Sequence, residues 1–252
     1  MGQPLGFDSF DPFTQLKFDK ASSLGPPLFW GRYFHAPGQI DSRGKKERNH
    51  YSSAENQVLR RNACRLLPIA RQTGRVGGTN ADGAQHAAVN VAAIFEAVPP
   101  SYLYGADPDV LVFLDIQPQP QLSTEYYIGW STTLQSQSQQ ISGGTVRFHP
   151  AAYLNSKSNG PSIKAINAAI AAGAQCAGLW VARYRKNESC SVVPDWSASE
   201  PFLTPTVPTN VPILAWQCHS EEDNSCPGFD VNLINEGHSD IFLNRLVLTP
   251  AS

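Results

Sequence analysis

Asp115 and Gln117 stand two residues apart at the end of the apolar run DVLVFL. On an extended strand both side chains point the same way. A run so apolar suits a strand covered on both faces, so an acid and an amide are presented together from the end of a buried element. They have company. Asp8, Arg32, Tyr33, Arg71, Tyr153, Trp180, Arg183, Tyr184, Trp216, Gln217, Asp230 and Asn232 also fall at or near the ends of strand-like runs. Gathered in one mouth, these would be three carboxylates, several aromatics, and amide and guanidinium donors. Sugars are bound in this way, with apolar ring faces stacked on aromatics and hydroxyls met by planar polar groups. Cleaving a glycosidic bond requires two carboxyl groups across it.

Each residue type also has a plainer use. A strand-end Asp often caps the following helix, and Tyr or Trp there often packs as core or rim. The coincidence on several strands is what favours a site. Glu55 has a structural explanation, since Ser52-x-x-Glu55 spells a capping box. Glu125, just after Ser123, sits where a helix dipole favours an acid. The basic cluster GKKER at 44–48 reads as a solvated loop, and His35 and His149 are isolated. No metal or cofactor is expected.

The elements that must position these residues alternate. PLGFDSF is followed by Asp11-Pro12, read as an N-cap with proline in the first turn, and by the helical spacing of FTQLKFDKASSL. Then come PLFWGRYF, a polar loop, the helix SAENQVLRRNAC and the strand RLLPIAR. The glycine-rich TGRVGGTNADG, read as a loop, precedes the helix QHAAVNVAAIFEAV. DVLVFLDIQ precedes STEYYIGWSTTLQ, TVRFHPAAYL precedes SIKAINAAIAAGA, and CAGLWVARY follows. After a Pro- and Ser-rich stretch at about 186–212 come PILAWQCHS and FDVNLI. Repeated βα units imply a parallel sheet with right-handed crossovers. Eight strands predict one α/β domain over 1–252, a (β/α)8 TIM-type barrel. Its last two strands are joined without a full helix, because 218–228 is too short and polar to supply one. An open doubly wound sheet is the alternative, but no GxGxxG follows the first strand.

Composition narrows the function. With 41% hydrophobic and 16% charged residues the chain can bury a real core. A net charge of −2 carries no global footprint for nucleic acid or an anionic membrane. No apolar run is long enough to span a bilayer. The opening MGQPLGFDSF lacks the basic and apolar regions of a signal peptide. Among five cysteines there is no CxxC pair. Cys64 and Cys176 sit in apolar stretches as buried thiols. Cys218 and Cys226 flank HSEEDNS and could close that loop as a disulfide, which would argue for an oxidising compartment.

The ends of the chain resemble a known family. GFDSFDP at 6–12, followed after a helix by LFWGRYF at 28–34, resembles the opening of the glycoside hydrolase family 25 lysozymes. It is closer still to the bacterial glycoside-hydrolase-like domain family of unknown function, which shares that barrel. LLPIARQ, and the close AWQCHSEEDNSCPGFDVNLI at 215–234, continue the resemblance over almost the whole chain. It implies catalytic carboxylates at Asp8, Asp115 and Asp230, and the strand-end positions add Arg32, Tyr33, Gln117, Tyr153, Trp180, Arg183, Trp216, Gln217 and Asn232 as expected substrate contacts. The implied partner is a polysaccharide, peptidoglycan-type above all, at the cell envelope or outside it. One position departs. The general-acid glutamate of that family falls on Gln117, and an amide neither gives nor takes a proton at ordinary pH. Two readings follow from the resemblance: a glycosidase with Asp115 or Asp230 as its acid, or a barrel that binds glycan without cleaving it.

Overall fold

The computed structural model describes residues 3–34, 50–71, 75–103, 109–116, 119–185, 188–220, 226 and 228–247. Gln117, His35 and the basic segment 44–48 lie outside the described residues. The eight strands are β1 (Leu5–Asp8), β2 (Pro27–Phe34), β3 (Arg65–Arg71), β4 (Asp109–Ile116), β5 (Arg147–Asn155), β6 (Leu179–Ala182), β7 (Ile213–His219) and β8 (Asp230–Ile234). They close into a barrel in sequence order, as the TIM-type reading expects. Strands β1 to β7 run parallel to one another. The parallel sheet expected throughout is corrected at the last strand, because β8 is antiparallel to both β7 and β1. The link at 220–229 is shorter than the roughly dozen residues a parallel crossover needs, so the chain turns back on itself.

Period-two alternation splits each strand between two cores. From β4, Val110, Val112, Leu114 and Ile116 pack outward under the helices. Leu111 and Phe113 pack inside the barrel with Phe29, Ile69 and Trp180. Outside lie α1 (Gln15–Ser22), α2 (Glu55–Arg61), α3 (Asn80–Ala97), the short α4 (Pro100–Leu103), α5 (Thr124–Ile141) and α6 (Gly160–Ala171). Two further helices are α7 (Trp196–Leu203), within the Pro- and Ser-rich stretch, and α8 (Ser239–Asn244). Phe242 of α8 packs on Phe29 and Phe113, with ring centroids at 5.2 and 6.2 Å, and closes the end of the barrel away from the strand C-termini. At that same end His149 is not isolated, lying 2.9 Å from Asp109.

Local signals explain where helices begin. α1 is capped by Thr14, whose side chain accepts from Lys17 N–H, and not by Asp11. α3 starts inside the glycine-rich segment, because Thr79 and Asp82 form a reciprocal capping box. Gly83 is therefore helical. A Cβ there would lie 2.1 Å from the Tyr126 carbonyl, and one at Gly129 would lie 2.0 Å from that of Asn80. These two glycines let α3 and α5 cross backbone against backbone.

The disulfide expectation is corrected. Cys226 pairs with Cys190, with Cα atoms 5.5 Å apart, and ties the segment before α7 to the β7–β8 link. Cys218 is on β7, buried, with its thiol against the Val231 carbonyl, and burial pushes its pKa up to about 12.

Candidate active site

The mouth formed by the C-terminal ends of β1 to β7 collects one inward side chain from nearly every strand. Asp8 ends β1, Tyr33 lies near the end of β2, Arg71 ends β3 and Asp115 lies near the end of β4. Tyr153 and Gln217 come from β5 and β7, and Tyr184 follows β6. Asp230 starts β8, and only the reversal of that strand brings it to the same end, opposite Asp8. Two carboxylates facing each other across antiparallel strands repel. Gln217 resolves this. Its amide nitrogen donates to Asp8 Oδ1 at 2.9 Å and to Asp230 Oδ2 at 2.8 Å.

The orientation of that amide is set from its other end. Gln217 Oε1 accepts from the phenols of Tyr153 at 2.6 Å and Tyr184 at 2.9 Å. With the oxygen committed to two donors, the NH₂ must face the carboxylates. A second chain reaches Asp8 through the barrel floor: Trp180 Nε1 donates to Asn232 Oδ1 at 2.8 Å, and Asn232 Nδ2 donates to Asp8 Oδ1 at 2.8 Å. Asp8 thus accepts from two amides in a fully buried place. Such bonds favour the charged carboxylate.

The phenols stay protonated. Burial raises the Tyr33 pKa well above its usual value, and the charges of Asp8, Asp115 and Asp230 add to this against the lowering effect of Arg71. Asp115 shares the parity of Leu111 and Phe113, which face the barrel interior, and lies beside Arg71 and Tyr153 in the strand register. Burial, then Tyr184, Tyr33, Asp8 and Asp230, raise Tyr153 likewise. On the β1–β3 side the Arg71 guanidinium lies 4.5 Å from the Phe10 ring centroid and 5.5 Å from that of Tyr33.

Asp8, Asp115, Asp230, Tyr33, Tyr153, Gln217 and Asn232 are therefore brought together, with Trp180 fully buried beneath them as floor. Arg32, Trp216 and Arg183 are not. Arg32 precedes Tyr33 on one strand, so the two must face opposite ways. It is buried behind the sheet, with Nε 2.7 Å from Glu55 Oε2 and an Nη donating to the carbonyls of Ser9 and Phe10. Glu55 keeps half of the expected capping box by accepting from Ser52 N–H, and also accepts from Phe13 N–H. Trp216 likewise faces away from its neighbour Gln217, packing on Trp196 and Phe202 of α7. Arg183 lies at the rim, its guanidinium 4.4 Å from the Phe202 ring centroid. Arg71, Tyr184 and Phe10 belong to the mouth although none stands in the substrate-binding set read from the sequence. For Arg71 the signal was present: it shares the parity of Leu67 and Ile69, both inside the barrel. The glycines of GFDSF and FWGRYF have a spatial reason, since a Cβ on Gly31 would lie 2.7 Å from that of Asp8. Among the described residues no cluster of His, Cys, Asp and Glu is placed to hold a metal ion.

No protein-family model and no curated protein sequence matches the chain. Solved structures do. An uncharacterised Bacillus stearothermophilus protein superposes with a TM-score of 0.71 at 20% identity, covering 96% of this chain and 99% of its own. A glycosyl hydrolase 25 of Streptococcus pneumoniae gives 0.54 at 12%, covering 98% and 94%. A muramidase from Acremonium alcalophilum gives 0.53 at 16%, covering 96% and 99%. The chain shares the barrel fold of these structures.

Proposed function

We propose that this protein acts on a cell-wall polysaccharide, of the peptidoglycan type, held in the barrel mouth, and that Asp8, Asp115 and Asp230 are the groups presented to the glycosidic bond. The observation that carries the reading is the Gln217 amide, which locks Asp8 and Asp230 side by side as acceptors at the open end of a fold shared with a muramidase. Hydrolysis needs one carboxyl to give a proton and another to act as base or nucleophile. Asp8, which accepts from two amides in a fully buried place, suits the charged role, and Asp115 or Asp230 would serve as proton donor. Tyr33, kept protonated, donates to a sugar hydroxyl or ring oxygen, while Tyr153, whose single proton is given to Gln217, can accept from a sugar hydroxyl.

A second reading, binding without cleavage, is favoured by the amide at Gln117, where the resembled lysozymes carry their acid. Loss of general acid catalysis costs about 10²–10⁴ in rate. Release of reducing ends from purified peptidoglycan separates the two. The hydrolase reading expects release by the wild type, its loss in Asp115→Asn and its increase in Gln117→Glu. No release by any of these proteins, with sedimentation on peptidoglycan retained, establishes the binding reading. The Cys190–Cys226 bridge supports an oxidising compartment, where such a polymer is met.

A further inference from the structure

Beside the mouth a cavity of about 620 Å³ opens between the turn after β5, the segment after β6, and α7. That volume is in the range of small-ligand sites. Its walls carry three cations, Lys157, Arg183 and Arg185, and one acid, Glu188. The acid is taken up within the wall, since Arg185 Nε lies 2.9 Å from both Glu188 oxygens. Positive charge is therefore in surplus. Arg183 is held for use. Its backbone N–H donates to the Gln217 carbonyl at 3.0 Å, and its carbonyl accepts from Trp216 Nε1 at 2.8 Å. Its guanidinium covers the Phe202 ring, which leaves the in-plane N–H fork to meet a pair of oxygens. Tyr184 lines this cavity while its hydroxyl donates to Gln217, so one side chain is wall to both spaces.

We propose that this cavity is an anion subsite, in which Arg183 and Lys157 bind an oxyanion substituent, carboxylate or phosphate, of a saccharide whose ring occupies the mouth. The proposal rests on the glycan reading of the mouth and names the substrate class: an acidic saccharide. Titration calorimetry on the full chain tests it with three probes. One is the neutral N-acetylglucosamine tetramer. The second is a tetrasaccharide alternating N-acetylglucosamine with N-acetylmuramic acid, and the third is the neutral tetramer bearing one phosphate. At least one anionic probe should bind about tenfold tighter than the neutral one, the scale of one charge-assisted hydrogen bond. The probe that does so names the oxyanion. That advantage should fall toward unity in Arg183→Gln, diminish in Lys157→Gln at an exposed site, and shrink with added salt. Equal affinity for all three probes, or an anionic advantage that survives both substitutions, overturns the subsite. Arg183-dependent binding of an anionic probe with no binding of the neutral tetramer upholds the subsite and overturns the mouth reading instead.

Discussion

Arg32→Met would remove the cation from a buried pair and leave its acid behind. Arg32 is fully buried and the Glu55 side chain is 4% exposed, so neither group is rescued by water. The substitution deletes the contacts to Glu55 and strands the Ser9 and Phe10 carbonyls, which one Nη holds at 2.9 and 2.7 Å. Removing one partner of a buried ion pair costs about 3–5 kcal/mol. For a chain of this length that lowers Tm by about 10 °C. Methionine keeps most of the volume, so cavity formation is a minor part. Urea unfolding at pH 7 measures the loss. Adding Glu55→Gln, which removes the stranded charge while keeping an acceptor for one of the Phe13 and Ser52 N–H groups, should recover part of the loss. A deficit under about 1 kcal/mol at pH 7, or no recovery on adding Glu55→Gln, would refute the reasoning.

Gly129→Ala places a Cβ 2.0 Å from the Asn80 carbonyl, so α3 and α5 must separate. Thermal unfolding should show a loss of at least about 2 kcal/mol, although alanine is the better helix former. The Cys190→Ser/Cys226→Ser variant releases a link spanning 36 residues, a loss of about 4 kcal/mol by loop entropy, and peptide mapping of the wild type should recover these two cysteines joined. Ultraviolet titration of the phenols should show Tyr33, Tyr127 and Tyr153 still protonated at pH 11, since burial raises all three. Their contribution to stability is complete below the ordinary phenol pKa of about 10 and is lost as pH rises above it, so these groups should ionise together with alkaline unfolding.

Much of the barrel was legible from local pattern. Apolar runs ending in polar residues marked the strands, and the short polar segment before FDVNLI showed that no full helix joins the last pair. α7 was hidden because prolines and serines mask its periodicity, and the start of α3 because glycines read as loop. Gly83 is helical for a reason outside its own segment, namely the α5 backbone lying against it. The cysteine pairing was misread for a similar reason, as closeness in sequence favoured Cys218 while the fold put Cys190 beside Cys226.

What the sequence by itself determined is the alternation of strands and helices, the apolar parity of each strand, and which residue types stand at the strand ends. The sequence reading placed Arg32 with Tyr33 and Trp216 with Gln217 in one mouth, although strand parity already separates each pair, because consecutive strand residues face opposite ways. Which member faces inward was decided only when the strands closed into a ring and gave the sheet an inside. Tertiary structure alone made Gln217 the donor that joins Asp8 to Asp230, groups separated by 222 positions. It did so by reversing β8, which carries the start of that strand to the end of the barrel where the other seven finish.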